Sequence, residues 1–449
     1  MPTLGNLAGD LASGKASRDL VESCLEQIAD PKGEGPRTFL KVHADRARAA
    51  ADYHDRMRRD GAAVSPFAGI PVSIKDLFDI AGDVTTAGSV LLREAPPASR
   101  DAPAVARLRA AGFVVIGRTN MTEFAFSGLG INPHYGTPLN AYDRARGLIP
   151  GGSSSGGAVS VTDGMAFAAL GTDTGGSCRI PAALCGLVGF KPTARRVPTA
   201  GAFPLSQSLD TVGPIAPTVQ CCATLDALLA GEEMTELAAH PLNGLRLAIP
   251  DTMVFDNVDD AVGRAFERTV TLLSKAGAHC THIPLRELGE LPAINSKGGF
   301  GAAEAYAIHR KHLDDRQRAL FDPRVLSRIL RGTEQDAADY IDLLLARADF
   351  IRRVDAITAP YDALLMPTVP QVAPPLQSLA TDETYSRVNL LMLRNPSVAN
   401  FLDRCAISLP CQRDGEAPVG LMLVGAHGDD HRLLSLAAAI ETVVSPPPR

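Results

Sequence analysis

Residues 150–181 read PGGSSSGGAVSVTDGMAFAALGTDTGGSCRIP. Two Gly/Ser clusters lie inside this stretch, GGSSSGG at 151–157 and GTDTGGS at 171–177. Glycine opens backbone conformations that a Cβ forbids and lets other groups approach the main chain. Serine adds a hydroxyl that can attack a carbonyl or relay a proton. The segment between them, 158–170, is small and apolar, and its length fits about three helical turns. The stretch therefore predicts a site assembled from the two ends of one small-residue helix. A flexible linker fits poorly, because the glycines run straight into AVSVTDGMAFAAL and, later, into Arg179-Ile180-Pro181 and the apolar CGLVGF. A phosphate loop fits no better, since neither GxxxxGK[ST] nor GxGxxG is present.

Outward from this centre the chain alternates between helical and extended texture. Helical periodicity or composition predicts helices at 18–30, 42–60, 102–111, 221–229, 262–277 and 431–443. Short apolar runs predict strands at 69–76, 113–117, 245–250, 280–284 and 361–367, with 406–410 and 419–425 as a pair. Residues 191–217 are rich in Pro, Gly, Ser and Thr and read as loop. Residues 301–357 read as a charged, helical cap at the periphery, and 386–404 as helix pieces around Asn395-Pro396. This rhythm predicts a single α/β domain over 1–449, a mixed twisted β-sheet covered by helices on both faces.

Composition bounds the partners. The chain has 449 residues, 45% hydrophobic and 21% charged, with a net charge of −6. That balance is globular and argues against nucleic acid as a partner, which needs a basic face. The eight cysteines include no CxxC pair, so free thiols are expected. No run is long enough for a membrane span, and the first residues lack a basic region followed by an apolar one, so a cytoplasmic location is expected. His309 and His312 stand three apart in a charged segment and read as a solvated face; no metal and no cofactor are expected. The expected state is a monomer or homodimer.

Chemistry concentrates at a few positions. Ser177 closes Thr174-Gly175-Gly176, whose successive amides can converge on an anion. A serine nucleophile needs a base, and no histidine lies in either glycine loop. Lys75, at the end of the apolar run PVSIK, is the other candidate: desolvation lowers a lysine pKa and makes the neutral amine a base. Surface pairing with Asp76 or Asp79 is the alternative reading of that lysine. Ser153, Ser154 and Ser155 could bridge the amine to Ser177. The loop NMTEFAFSGLG at 120–130 and Ile131 beyond it supply apolar pocket candidates, Met121, Phe124, Phe126, Gly128, Leu129 and Ile131, as do residues 203–209.

GGSSSGGA followed by GTDTGGSCRIPA resembles the amidase signature hydrolases, and PVSIKD resembles their lysine strand. The resemblance is closest over 66–217, the signature core. It implies a Ser–cis-Ser–Lys triad of Ser177 as nucleophile, Ser153 as relay and Lys75 as base. It implies oxyanion amides from Thr174, Gly175, Gly176 and Ser177, with Ser154 hydrogen-bonding in the lysine network. Asp173 and Arg179 resemble the family's supporting pair. The implied activity is hydrolysis of amide C–N bonds through an acyl-enzyme. The apolar pocket candidates point to aryl or hydrophobic acyl groups, with esters and carbamates as further substrates. The other activity implied is that of an amidotransferase A-type glutaminase subunit, which supplies ammonia to a tRNA-dependent partner.

Overall fold

The computed structural model describes residues 1–234, 236–238 and 240–444. Eleven short strands form one sheet: β1 (Phe39–Val42), β2 (Pro71–Lys75), β3 (Val114–Thr119), β4 (Ala169–Asp173), β5 (Val188–Lys191), β6 (Thr211–Ala216), β7 (Arg246–Pro250), β8 (His279–Ile283), β9 (Ala363–Pro367), β10 (Ala406–Pro410) and β11 (Gly420–Val424). Their order is β1-β3-β2-β4-β6-β5-β10-β11-β9-β7-β8. β2 runs parallel to β3 and β4, β7 runs parallel to β8 and β9, and the remaining neighbours are antiparallel.

Both faces of the sheet are covered, and the side-chain alternation shows how. In β11, Leu421 and Leu423 join one core cluster while Met422 and Val424 join another. β9 divides in the same way, with Leu365 in the first and Leu364 and Met366 in the second. A strand apolar at every position needs packing on both sides, which is why these runs read as continuous rather than alternating. Among the described residues no helix is long and apolar enough to cross a membrane.

Three expectations fail at the level of elements. The segment 158–170 is not one helix: the helix Ser155–Thr162 ends early, and β4 begins at Ala169. The break falls at Asp163-Gly164, with Gly164 at φ +68°, a turn pair hidden inside an apolar run. The loop expected over 191–217 contains β6, bonded to both β4 and β5 despite Pro214. Gly213 permits this, because a Cβ there would lie 2.1 Å from the Phe190 carbonyl oxygen. The pieces expected near Asn395-Pro396 are one helix, Asp382–Phe401, with Pro396 inside it.

His309 is also not on a solvated face. It is 1% exposed, with its ring centroid 4.3 Å from that of Phe124 and 5.7 Å from that of Phe203.

Candidate active site

The chain leaves β2 for β3 on one side and reaches β4 on the other, so β2 and β4 are parallel neighbours at a switch in strand order. Sites in such sheets form at the carboxyl ends of the strands on either side of the switch. Ser73 pairs with Ala169 and Ile74 with Leu170, so Lys75 arrives beside the end of β4. Its Nζ donates to Thr172 Oγ1 at 2.9 Å and to Ser153 Oγ at 2.8 Å.

Lys75 is 0% exposed, and burial pushes its amine down to about 8, against the opposing pull of Cys178, Asp173 and Asp210. The surface pairing considered for it does not occur. Asp76 is bound by Arg118 at 2.6 Å, and Asp79 accepts from Thr85 at 2.7 Å. Thr172, the second partner of the amine, was not singled out from the sequence; its place between Gly171 and Asp173 was the available signal.

Ser153 follows a cis Gly152–Ser153 peptide bond. Its carbonyl accepts from the Thr122 amide at 3.1 Å, and the Gly152 amide donates to the Gly128 carbonyl at 2.8 Å. The two segments touch so closely that a Cβ on Gly152 would sit 2.5 Å from the Gly130 nitrogen. Gly128 and Gly130 therefore buttress the Ser153 turn from behind. Ser154 departs from expectation: its hydroxyl is buried without a hydrogen-bond partner, against Gly171 and not in the lysine network.

Ser177 is 3% exposed, and its carbonyl accepts from the Ser154 amide at 3.3 Å, joining the two glycine loops. Asp173 organises the second loop. Its carboxylate accepts from the amides of Gly176 at 2.8 Å and Cys178 at 3.1 Å, from Arg179 Nη2 at 2.8 Å and Nε at 3.0 Å, and from Asn400 Nδ2 at 3.0 Å. Burial alone would raise this carboxyl; the Arg179 charge and the hydrogen bonds from Arg179 and Asn400 outweigh it and hold it well below the usual range.

The Gly176 amide, expected among the oxyanion donors, is therefore committed to Asp173. Among the described residues those of Thr174, Gly175 and Ser177 meet no acceptor. Gly176 itself sits at φ +123°, and a Cβ there would lie 2.6 Å from Pro396 Cβ. Asn400 lies 227 positions from Asp173 and nothing in the sequence pointed to it. Asp173→Ala leaves the buried Arg179 guanidinium without its counter-charge, so it is expected to cost about 3–5 kcal/mol of stability in urea unfolding; a loss under about 1 kcal/mol would show that the pair is not structural.

A cavity of about 320 Å³ opens beside Thr172 and Thr174. Leu77, Ala125, Phe203 and Leu205 form its apolar side, and Gln207 and Asp210 its polar side. From residues 203–209, Phe203, Pro204, Leu205 and Gln207 line this cavity, whereas from the loop at 120–130 only Ala125 does. Met121 and Phe124 are core residues, Leu129 and Ile131 pack in a separate cluster, Gly128 supports Gly152, and Phe126 stacks under Arg328 with its ring centroid 4.5 Å away. Apolar character alone could not separate core from lining. Asp210 accepts from Thr174 Oγ1 at 2.6 Å, and burial pushes its carboxyl up to about 6. No cluster of three or more metal-ligating side chains occurs among the described residues.

A protein-family model described as Amidase matches residues 19–434. The chain is 37% identical to a 2-amino-5-chloromuconic acid deaminase of Comamonas testosteroni, over 95% of this chain and 92% of the relative. It is 34% identical to the A-type subunit of a glutamyl-tRNA(Gln) amidotransferase from Anaeromyxobacter sp. (strain K), over 98% and 96%. A crystal structure of an amidase superposes with a TM-score of 0.88 at 32% identity, covering 99% of this chain and 100% of the other.

Proposed function

This chain belongs to the amidase family of C–N bond hydrolases, and on that premise we propose that it is a serine amidase using Ser177, Ser153 and Lys75. The observation that carries the reading is the sealed contact between Lys75 Nζ and Ser153 Oγ. An amine whose pKa lies near 8 is partly neutral at physiological pH and can take a proton. Neutral Lys75 accepts the Ser153 proton while Ser153 takes that of Ser177, whose Oγ attacks the amide carbonyl. The tetrahedral oxyanion forms beside the amides of Thr174, Gly175 and Ser177; Gly176 shapes the turn rather than donating. Ser153 returns a proton to the leaving amine, and water then cleaves the acyl-enzyme by the reverse relay. Ser154, Asp173 and Arg179 support the two loops. Residues 66–217 are the catalytic core, and 301–357 cap the pocket.

The substrate is a small amide, in keeping with the cavity, whose apolar wall suits an unsaturated, aryl or hydrophobic acyl group. Esters and carbamates of that shape pass through the same tetrahedral step. Arg328 adds a preference. It stacks on Phe126, one residue along the chain from cavity-lining Ala125, and its Nη1 is buried without a partner. A buried guanidinium with a free donor suits a carboxylate on the acyl group, and the deaminase relative is named for an acid. Arg328→Gln is then expected to raise KM for an acid-bearing amide by about 10–100-fold and to leave the KM of a neutral amide such as benzamide unchanged. Equal effects on both would remove the preference.

Similarity to an amidotransferase component favours a second reading, a glutaminase that feeds ammonia to a partner. Ammonia release from glutamine by the purified chain alone, or only with a partner, separates the two. The first reading has the protein acting in the cytoplasm as a monomer or homodimer; eight free cysteines, seven of them buried, suit a reducing compartment.

A further inference from the structure

We propose that Glu304 and Asp210 are positioning residues that wire the helices over the pocket to the loop bearing Ser177. The inference rests on the reading of Ser177 as nucleophile and goes beyond it, to what holds that loop in place.

Two hydrogen-bond routes leave the 173–177 loop and meet in the same pair of helices. On the first, Asp210 accepts from Thr174 Oγ1 at 2.6 Å with one oxygen and from the amides of Leu205 and Ser206, at 3.0 and 3.1 Å, with the other. Glu304, on the helix Gly299–His309, holds the same segment from the far side. It accepts from the hydroxyls of Ser206 and Ser208, from the Ser208 amide at 3.1 Å and from the Tyr340 hydroxyl at 2.7 Å. On the second route, Arg347 donates to the carbonyls of Ser208 at 3.2 Å, Phe401 at 2.8 Å and Asn400 at 3.0 Å. The Asn400 side chain then meets both Asp173 and Arg179. Tyr340 and Arg347 share the helix Ala337–Thr358.

The placement of these groups is informative. Both oxygens of Glu304 and all three guanidinium nitrogens of Arg347 already meet protein partners, an arrangement suited to holding the segment rather than to touching a substrate. Two carboxylates accept on opposite sides of one short segment, a costly arrangement unless every donor is used. Seven donors are used: three on Asp210 and four on Glu304. The segment so fixed lies against Thr174, whose amide belongs to the proposed oxyanion set. Loosening it displaces that set without removing any reacting group, and a small misplacement there slows the chemical step rather than weakening binding.

The test is a double-mutant cycle between Glu304→Ala and Thr174→Val. It is read by kcat, by KM and by the rate at which a fluorophosphonate labels Ser177. Each single change is expected to lower kcat and labelling by about five- to thirtyfold with KM shifted less than about twofold. The double variant is expected to be no worse than about the poorer single one, and Glu304→Gln, which keeps an acceptor, to recover most of the loss. If Glu304→Ala fails to fold, the cycle is run with Tyr340→Phe, which strips one donor from Glu304, and non-multiplicative losses with Thr174→Val must still appear. Multiplicative losses, or a loss confined to KM, would overturn the inference. Absence of labelling in the unaltered protein would instead bring down the nucleophile reading, and this inference with it.

Discussion

Lys75→Met is expected to lower kcat by about 10³–10⁴-fold while raising stability at neutral pH. The first effect follows from removing the base: a positioned proton acceptor contributes about 10²–10⁴ in rate, and among the described residues no other amine or imidazole hydrogen-bonds the Ser153 hydroxyl. The second follows from linkage. Burial lowers the Lys75 amine from its ordinary 10.5 to about 8, so between those values the unfolded chain binds more protons than the folded one. The native state thus carries the full penalty below about pH 8 and loses it as pH rises to about 10.5. Methionine fills a similar volume without a charge, so unfolding at pH 7 is expected to show a gain of about 1–3 kcal/mol. The advantage of the variant over the unaltered protein should shrink on going from pH 8 to pH 10.5. A variant less stable at pH 7, or a retained rate, would mean that the amine is not held as described.

Ser177→Ala is expected to abolish turnover, by about 10⁵–10⁶-fold in kcat, and all labelling by a fluorophosphonate. Ser177 is nearly buried, and the neighbouring loop is held by Asp173 rather than by the Ser177 side chain. The fold should therefore persist, with a melting temperature within about 2 °C. Residual activity near that of the unaltered protein would place the nucleophile elsewhere, and Ser154, whose hydroxyl lacks a partner, would be the next serine to replace.

The parts of this molecule that could be read from its sequence are those set by local chemistry. β2 was legible because Val72, Ile74 and the flanking Gly and Pro mark a buried strand, and a lysine at its end demanded a reason. The glycine loops were legible because their serines recur in a pattern that a linker would not need. β4 was not, because small apolar residues suit helix and strand alike and only the pair Asp163-Gly164 marks the break. β6 hid behind Gly213 and Pro214, residues that usually signal turns and here serve a close approach to Phe190. The pocket candidates were not separable from core for a related reason: Phe124 and Phe126 are apolar whether they face a substrate or a core, and only the fold shows Phe124 packed on His309 and Phe126 under Arg328. Asn400, Arg347 and Glu304 were out of reach, since their partners are brought to them only by the folded chain.

The account turns on an uncharged amine at Lys75 acting on Ser177 through Ser153. The most direct measurement is the rate of fluorophosphonate labelling of Ser177 as a function of pH, in the unaltered protein and in Lys75→Met. The account predicts that labelling of the unaltered protein climbs with pH and levels off above about 8, whereas the variant labels slowly and without that climb. A variant whose labelling follows the same curve as the unaltered protein would contradict it.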